Sequence, residues 1–109
     1  MKILIIGAGR IGTSVAESLV SEDNDITVID KNPESISLLQ ARFDLRGIVG
    51  NALSPALLTE ASANDTDLLI AVTSSDETNL AATLLADKLF NIPTRICLLY
   101  TSPSPRDCS

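Results

Sequence analysis

At 109 residues, with 45% hydrophobic and 20% charged side chains, the chain has length and apolar content for one globular domain, or one and part of another, and not for two full domains. Aromatic residues make up 3% and tryptophan is absent, so the core must be aliphatic, the filling of parallel sheets covered by helices on both faces. Fourteen acidic against eight basic side chains give a net charge of −6, the wrong sign for steering onto a nucleic acid, and the absence of histidine removes His-dependent triads and His metal ligands.

Lys2–Ile6 is a continuous apolar, β-branched run closed by Gly7, which predicts a fully buried first strand rather than a signal peptide or membrane span. Residues 10–22 then carry Ile11, Val15, Ala16, Leu19 and Val20 at three- and four-residue spacing, a helix with one buried stripe. A polar turn at residues 23–25 leads to a second buried strand that ends at Asp30. Asn32 caps a helix that opens with Pro33 and buries Ile36, Leu39 and Phe43. A short strand at residues 46–49 and a helix capped by Ser54 with Pro55 in first position follow. Residues 68–72 are another buried strand. Residues 76–90 form a helix whose face carries Leu80, Ala81, Leu84, Leu85 and Lys88, stopped by Asn91 and Pro93 before a fifth strand near Thr94. Short loops between strands and helices of this length imply crossovers and a parallel sheet. The expected fold is a Rossmann-like, doubly wound α/β sheet of about five strands.

Residues 97–109 break this pattern. Thr101-Ser102-Pro103-Ser104-Pro105 cannot form a helix, and residues 97–107 read as an in-frame translation of a transposase-end sequencing adapter. The expectation is a domain over residues 1–96, truncated at its C-terminal end, followed by a non-native or disordered tail. A Ser/Pro linker to a further domain is the alternative for the tail. Both cysteines, Cys97 and Cys108, lie in this tail, so they cannot staple the core and have no metal-ligand spacing; the body reads as reduced and cytoplasmic.

Gly7-Ala8-Gly9-Arg10-Ile11-Gly12 matches the dinucleotide fingerprint GxGxxG, and it sits where its mechanism requires, between a buried strand and an amphipathic helix. Gly7 permits the turn, Gly9 admits a pyrophosphate to the main chain, and Gly12 lets helix and strand pack closely. The helix amides and dipole then face the phosphates. Arg10 either meets a phosphate or is solvated. Asp30 ends the second strand eighteen residues beyond Gly12, where a carboxylate reaches the hydroxyls of an adenosine ribose and repels a 2'-phosphate. This favours NAD or an adenosine nucleotide over NADP, although Lys31 beside it works the other way. Thr73 and Ser74 follow the fourth strand at the ligand-binding edge of such sheets and are preferred as site residues to Asp76 and Glu77, which also serve as helix-start acids. Gly50-Asn51-Ala52 either approaches the adenosine or forms a plain turn. No residue pair makes a convincing acid and base, nucleophile and base, or metal set, so the expectation is binding without catalysis.

Taken together, these residues resemble the N-terminal nucleotide-binding (KTN or RCK) domains of the TrkA family, the regulatory subunits of bacterial Trk potassium uptake. The resemblance runs over about residues 1–96. It is carried by Gly7-Ala8-Gly9, by Asn24-Asp25-Ile26-Thr27-Val28 ending in Asp30, by Phe43-Asp44-Leu45-Arg46, by Leu89-Phe90-Asn91, and above all by Thr73-Ser74-Ser75-Asp76-Glu77-Thr78-Asn79. It implies a cytoplasmic protein, peripheral at the inner face of the membrane, that binds NAD(H), or ATP and ADP as in related members. It further implies homo-oligomers in the full-length protein and gating of a membrane potassium transporter rather than catalysis. By position, the implied ligand residues are Gly7 to Ile11, Asp30, Thr73 and Ser74. The family's arginine on the fifth strand is replaced by Leu98. The competing reading is the cofactor-binding fragment of an NAD-dependent dehydrogenase, which a downstream catalytic domain would reveal.

Overall fold

The computed structural model describes residues 1–20, 22–100 and 106–107. In chain order these form β1 (Lys2–Ile6), α1 (Arg10–Val20), β2 (Asp25–Asp30), α2 (Pro33–Arg42), β3 (Arg46–Val49), α3 (Pro55–Glu60), a 3-10 turn (Ala63–Asp65), β4 (Leu68–Ala71), α4 (Asp76–Phe90), β5 (Thr94–Cys97) and β6 (Arg106–Asp107). The sheet order is β3-β2-β1-β4-β5-β6, with every pairing parallel except β5 with β6. The chain therefore winds outward from β1 to β3, then crosses to the other side of β1 and winds outward again.

Alternation along the central strands fills both faces. Ile3 and Ile5 of β1 join Ile26, Val28 and Ile70 under α1 and α2, where Ala16, Ile36 and Leu39 complete one core. Leu4 and Ile6 point the other way, to Ile29, Leu69 and Ala71 under α3 and α4, where Leu58, Ala82, Ala86 and Phe90 complete the second. Successive strand residues face opposite sides, so an uninterrupted apolar run is what a sheet covered on both faces demands. The two helix starts expected from proline and a polar cap are present: Asn32 Oδ1 accepts from Glu34 N–H at 2.9 Å, and Ser54 Oγ accepts from Leu57 N–H at 3.3 Å.

Four local expectations need correction. Helix α1 ends at Val20, not at residue 22, and Ile11 lies outside its buried stripe: Gly12 takes the inward place beside the expected Ala16, because only small residues fit where α1 presses on β1.

 Ala16 is completely buried, whereas Ile11 is exposed at the end of the sheet. Helix α4 is turned relative to the leucine face read from its sequence: Leu80 and Leu84 are 43% and 59% exposed, and the inward side carries Asn79, Ala82, Thr83, Ala86 and Phe90. Small side chains let this helix lie close to β4 and β5, and that proximity outweighs the greater hydrophobicity of the leucines. Strand β5 runs to Cys97, one residue past the boundary suggested by sequence. The antiparallel β6 was not expected, since two residues carry no periodicity. The expectations for Thr101 to Pro105 and for Cys108 lie outside the described residues.

Candidate functional site

The crossover of the winding between β1 and β4 opens a cleft of about 640 Å³ at the carboxyl ends of the strands. This is the edge at which open α/β sheets hold ligands, because loops splay apart where the winding reverses. A hollow of about 650 Å³ at the opposite, amino ends is lined by Asp23, Asp25, Asp44 and Asp67 and lacks the loops and helix start that follow the strands. The cleft is therefore the stronger candidate. Gly7, Gly9, Arg10, Ile11, Asp30, Thr73 and Ser74 all line it. Ala8 and Gly12 do not: Ala8 is buried and contributes only its amide, and Gly12 is packed beneath the bend.

The bend itself is dictated by its glycines. Gly7 has φ +114°, and a Cβ there would stand 2.9 Å from Val72 O and 3.0 Å from Thr73 N, so both conformation and space exclude a side chain. At Gly12 a Cβ would lie 1.9 Å from Gly7 O, which fixes how closely α1 approaches the turn. Gly9 is different. No atom lies within 4 Å of the place its Cβ would take, so the missing side chain leaves open space at a residue that lines the cleft. The first bond of the α1 ladder runs from Thr13 N–H to Gly9 O at 2.9 Å. The amides of Arg10, Ile11 and Gly12 precede it and have no acceptor among the described residues; Arg10 and Ile11 line the cleft, which faces the positive end of the helix dipole.

Asp30 sits across this opening. Its Oδ2 accepts from Ala8 N–H at 2.7 Å and its Oδ1 from Asn32 N–H at 2.8 Å, so the carboxylate is aimed at the glycine bend and held there by two main-chain donors. Each oxygen keeps lone-pair capacity for a further donor, such as a ribose hydroxyl. Arg10 and Lys31 also border the cleft, and neither forms an ion pair among the described residues. Gly50, Asn51, Ala52 and Leu53 complete its β3 side. Asn51 lines the cleft, and it closes its own turn by accepting from Leu53 N–H at 2.9 Å.

On the β4 side, Thr73 and Ser74 play unequal parts. Thr73 N–H donates to Asn79 Oδ1 at 2.9 Å, its hydroxyl lies 2.7 Å from the same oxygen, and its carbonyl accepts from Asn79 Nδ2 at 3.1 Å. Its polar groups are thus turned to α4. Ser74 makes no hydrogen bond with the described residues and is exposed, which leaves its N–H and hydroxyl available to a ligand. Ser75 caps α4, accepting from Thr78 N–H at 3.2 Å. Sequence reasoning missed Asn79. The available signal was an asparagine four residues beyond the capping serine, on the one side of α4 that otherwise carries small residues. Among the described residues no group of His, Cys, Asp and Glu could hold a metal ion, and no helix is long and apolar enough to cross a membrane.

The sequence model of the TrkA-N domain family matches residues 3–104. The chain is 49% identical over 107 residues to the Trk system potassium uptake protein TrkA of Haemophilus influenzae, covering 98% of this chain and 23% of that protein. With the protein of the same name from Vibrio alginolyticus the identity is 51% over 96 residues, 88% of this chain and 21% of the relative. The chain thus spans less than a quarter of the length of these curated relatives. Among solved structures it resembles the Kef CTD of Shewanella denitrificans in its AMP-bound form, with TM-score 0.70 and 25% identity over 83% of this chain and 54% of the other. The TrkA-N domain of the inner membrane protein ybaL from Escherichia coli gives TM-score 0.80 at 22% identity, over 88% and 70% of the two chains, and bears on the fold alone.

Proposed function

The chain belongs to the TrkA-N domain family, and from that premise we propose that it binds NAD(H), or ATP or ADP, and so regulates a membrane potassium uptake transporter. The observation that carries this reading is the convergence of the Asp30 carboxylate on the glycine bend, with open space at Gly9 and uncommitted amides at the start of α1. A nucleotide supplies what these groups lack: phosphate oxygens for the amides of Arg10, Ile11 and Gly12, and a ribose diol for Asp30. The residues present fit such a ligand. Ser74 adds a donor at the far rim, and Arg10 and Lys31 add positive charge. The AMP-bound state of the Kef relative supports an adenosine nucleotide in the same kind of fold.

The names of the relatives support a role in potassium uptake. In this proposal the protein is cytoplasmic, acts at the inner face of the membrane, is homo-oligomeric at full length, and has no nucleic acid partner. The binding unit is residues 1–96, to which Tyr100 of the following segment adds part of the cleft wall. The role is binding rather than catalysis: the ionisable side chains lining the cleft are Arg10, Asp30, Lys31 and Tyr100, and Asp30 is already engaged by two amides. Ligand binding shifts the populations of two states only through differential affinity, so gating requires the nucleotide to favour one arrangement of the assembled subunits. Isothermal calorimetry of the chain with NADH, ATP, ADP and NADPH tests the premise. Binding of at least one of the first three is expected. A folded sample that binds none of them defeats the reading.

A further inference from the structure

Asn79 is fully buried, and its carboxamide joins two separate stretches of the chain to α4. Its Oδ1 accepts from Thr73 N–H at 2.9 Å and lies 2.7 Å from Thr73 Oγ1; its Nδ2 donates to Thr73 O at 3.1 Å and to Leu98 O at 2.7 Å. A primary amide offers two donors and one oxygen with two lone pairs, so this side chain is saturated. Thr73 lies on the rim of the cleft, and Leu98 is the residue that follows β5, where its own N–H donates to Ala71 O at 2.9 Å. A buried polar atom that loses its partner carries the full desolvation penalty, so displacing either stretch without the other is disfavoured. A second tie runs in parallel: Tyr100 N–H donates to Asp76 Oδ1 at 2.7 Å.

We propose that Asn79 is a positioning residue for the nucleotide, fixing the Thr73–Ser74 rim and coupling its displacement to the main chain that leaves β5. The proposal rests on the cleft being a nucleotide site. It does not depend on the side chain at position 98, because the contact is to a carbonyl. Thr73 then contributes little to the ligand directly. Its polar groups are consumed in presenting Ser74, and the shift that a ligand imposes on this rim reaches the Leu98 carbonyl through the Asn79 amide.

The test combines NADH titration with amide proton–nitrogen spectra of the 109-residue chain, for the wild type, Asn79→Ala and Phe90→Ala. Phe90 is buried on the same helix about three turns from Asn79 and serves as a control for loss of stability alone. In the wild type NADH is expected to shift the amide signals of both Thr73 and Leu98. Asn79→Ala should bind NADH about tenfold or more weakly, the scale expected when buried hydrogen bonds that hold a rim are lost, and at saturation its Leu98 signal should no longer respond. Phe90→Ala should bind as the wild type does. Should Asn79→Ala fail to fold, the similarly shaped Asn79→Leu fills the space and removes both donors, and the same loss of the Leu98 response is expected. A wild-type Leu98 signal that ignores NADH, an unchanged affinity in the folded variant, or a Leu98 response that survives it would overturn the proposal while leaving nucleotide binding intact. Absence of NADH, ATP and ADP binding in the wild type would remove the functional reading itself.

Discussion

The carboxylate of Asp30 accepts a 2.7 Å hydrogen bond from the amide of Ala8, twenty-two residues earlier in the chain and on the neighbouring strand's loop. This bond links the two halves of the fingerprint before any ligand arrives. The acid that would grip a ribose is already oriented by the turn that would receive the phosphates, so little ordering entropy remains to oppose binding.

Asp30→Ala should weaken NADH binding by about 1–3 kcal/mol through loss of charge-assisted hydrogen bonds to the ribose. The same change leaves Ala8 N–H without its acceptor, so chemical denaturation should register a smaller loss of stability, about 1 kcal/mol. Unchanged affinity in calorimetry would take Asp30 out of the site.

Two fingerprint glycines should respond in opposite ways to the same methyl group. Gly12→Ala places a Cβ 1.9 Å from Gly7 O and should destabilise the fold by about 3 kcal/mol or more, the upper end of overpacking costs. Gly9→Ala meets no atom within 4 Å, and thermal unfolding should show it close to wild type. Gly9 lines the cleft, so a methyl group there should obstruct the pyrophosphate, and NADH affinity should fall at least about tenfold, roughly 1.4 kcal/mol. Normal affinity in Gly9→Ala would argue against close approach of the pyrophosphate.

The orientation of α4 can be checked by stability alone. Leu84→Lys replaces an exposed side chain and should change unfolding free energy by less than about 0.5 kcal/mol. Ala86→Leu, on the buried side against the sheet, should cost about 1–3 kcal/mol by overpacking. The reverse result would restore the leucine face as the inner one.

Charge at the cleft should discriminate between cofactors. NADPH places a 2'-phosphate where Asp30 stands and should bind about tenfold or more weakly than NADH, a difference of roughly 1.4 kcal/mol. Arg10→Ala should lower NADH affinity several-fold at low salt. That effect should shrink above about 0.5 M salt, because Arg10 is exposed and its field is screened. Equal affinities for the two dinucleotides would contradict the role given to Asp30.

Much of the architecture was legible from local pattern. Continuous aliphatic runs at β1, β2 and β4 could only be strands buried on both faces, and Asn32-Pro33 and Ser54-Pro55 marked helix starts whose caps need only their own neighbours. The glycine bend was equally readable, since a positive φ at Gly7 and a close contact at Gly12 are demands of a single turn. These features follow from interactions within a few residues, and one sequence contains all the information they need.

Which side of α4 faces inward, and which first-turn residue of α1 does, was decided only by tertiary packing, whereas Val15, Ala16, Leu19 and Val20 of α1 pack inward as their spacing predicts. Ile11, Leu80 and Leu84 are the more hydrophobic choices, yet Gly12, Ala16, Ala82 and Ala86 are buried, because the distance between helix and sheet sets the volume that can be accommodated. The ties from Asp30 to Ala8 and from Asn79 to Thr73 and Leu98 were likewise invisible in the chain taken alone. The first and last of these join residues brought together by the pairing of β1 with β2 and of β4 with β5, and hydrogen bonding between specific side chains and main chain leaves no periodic trace in the sequence.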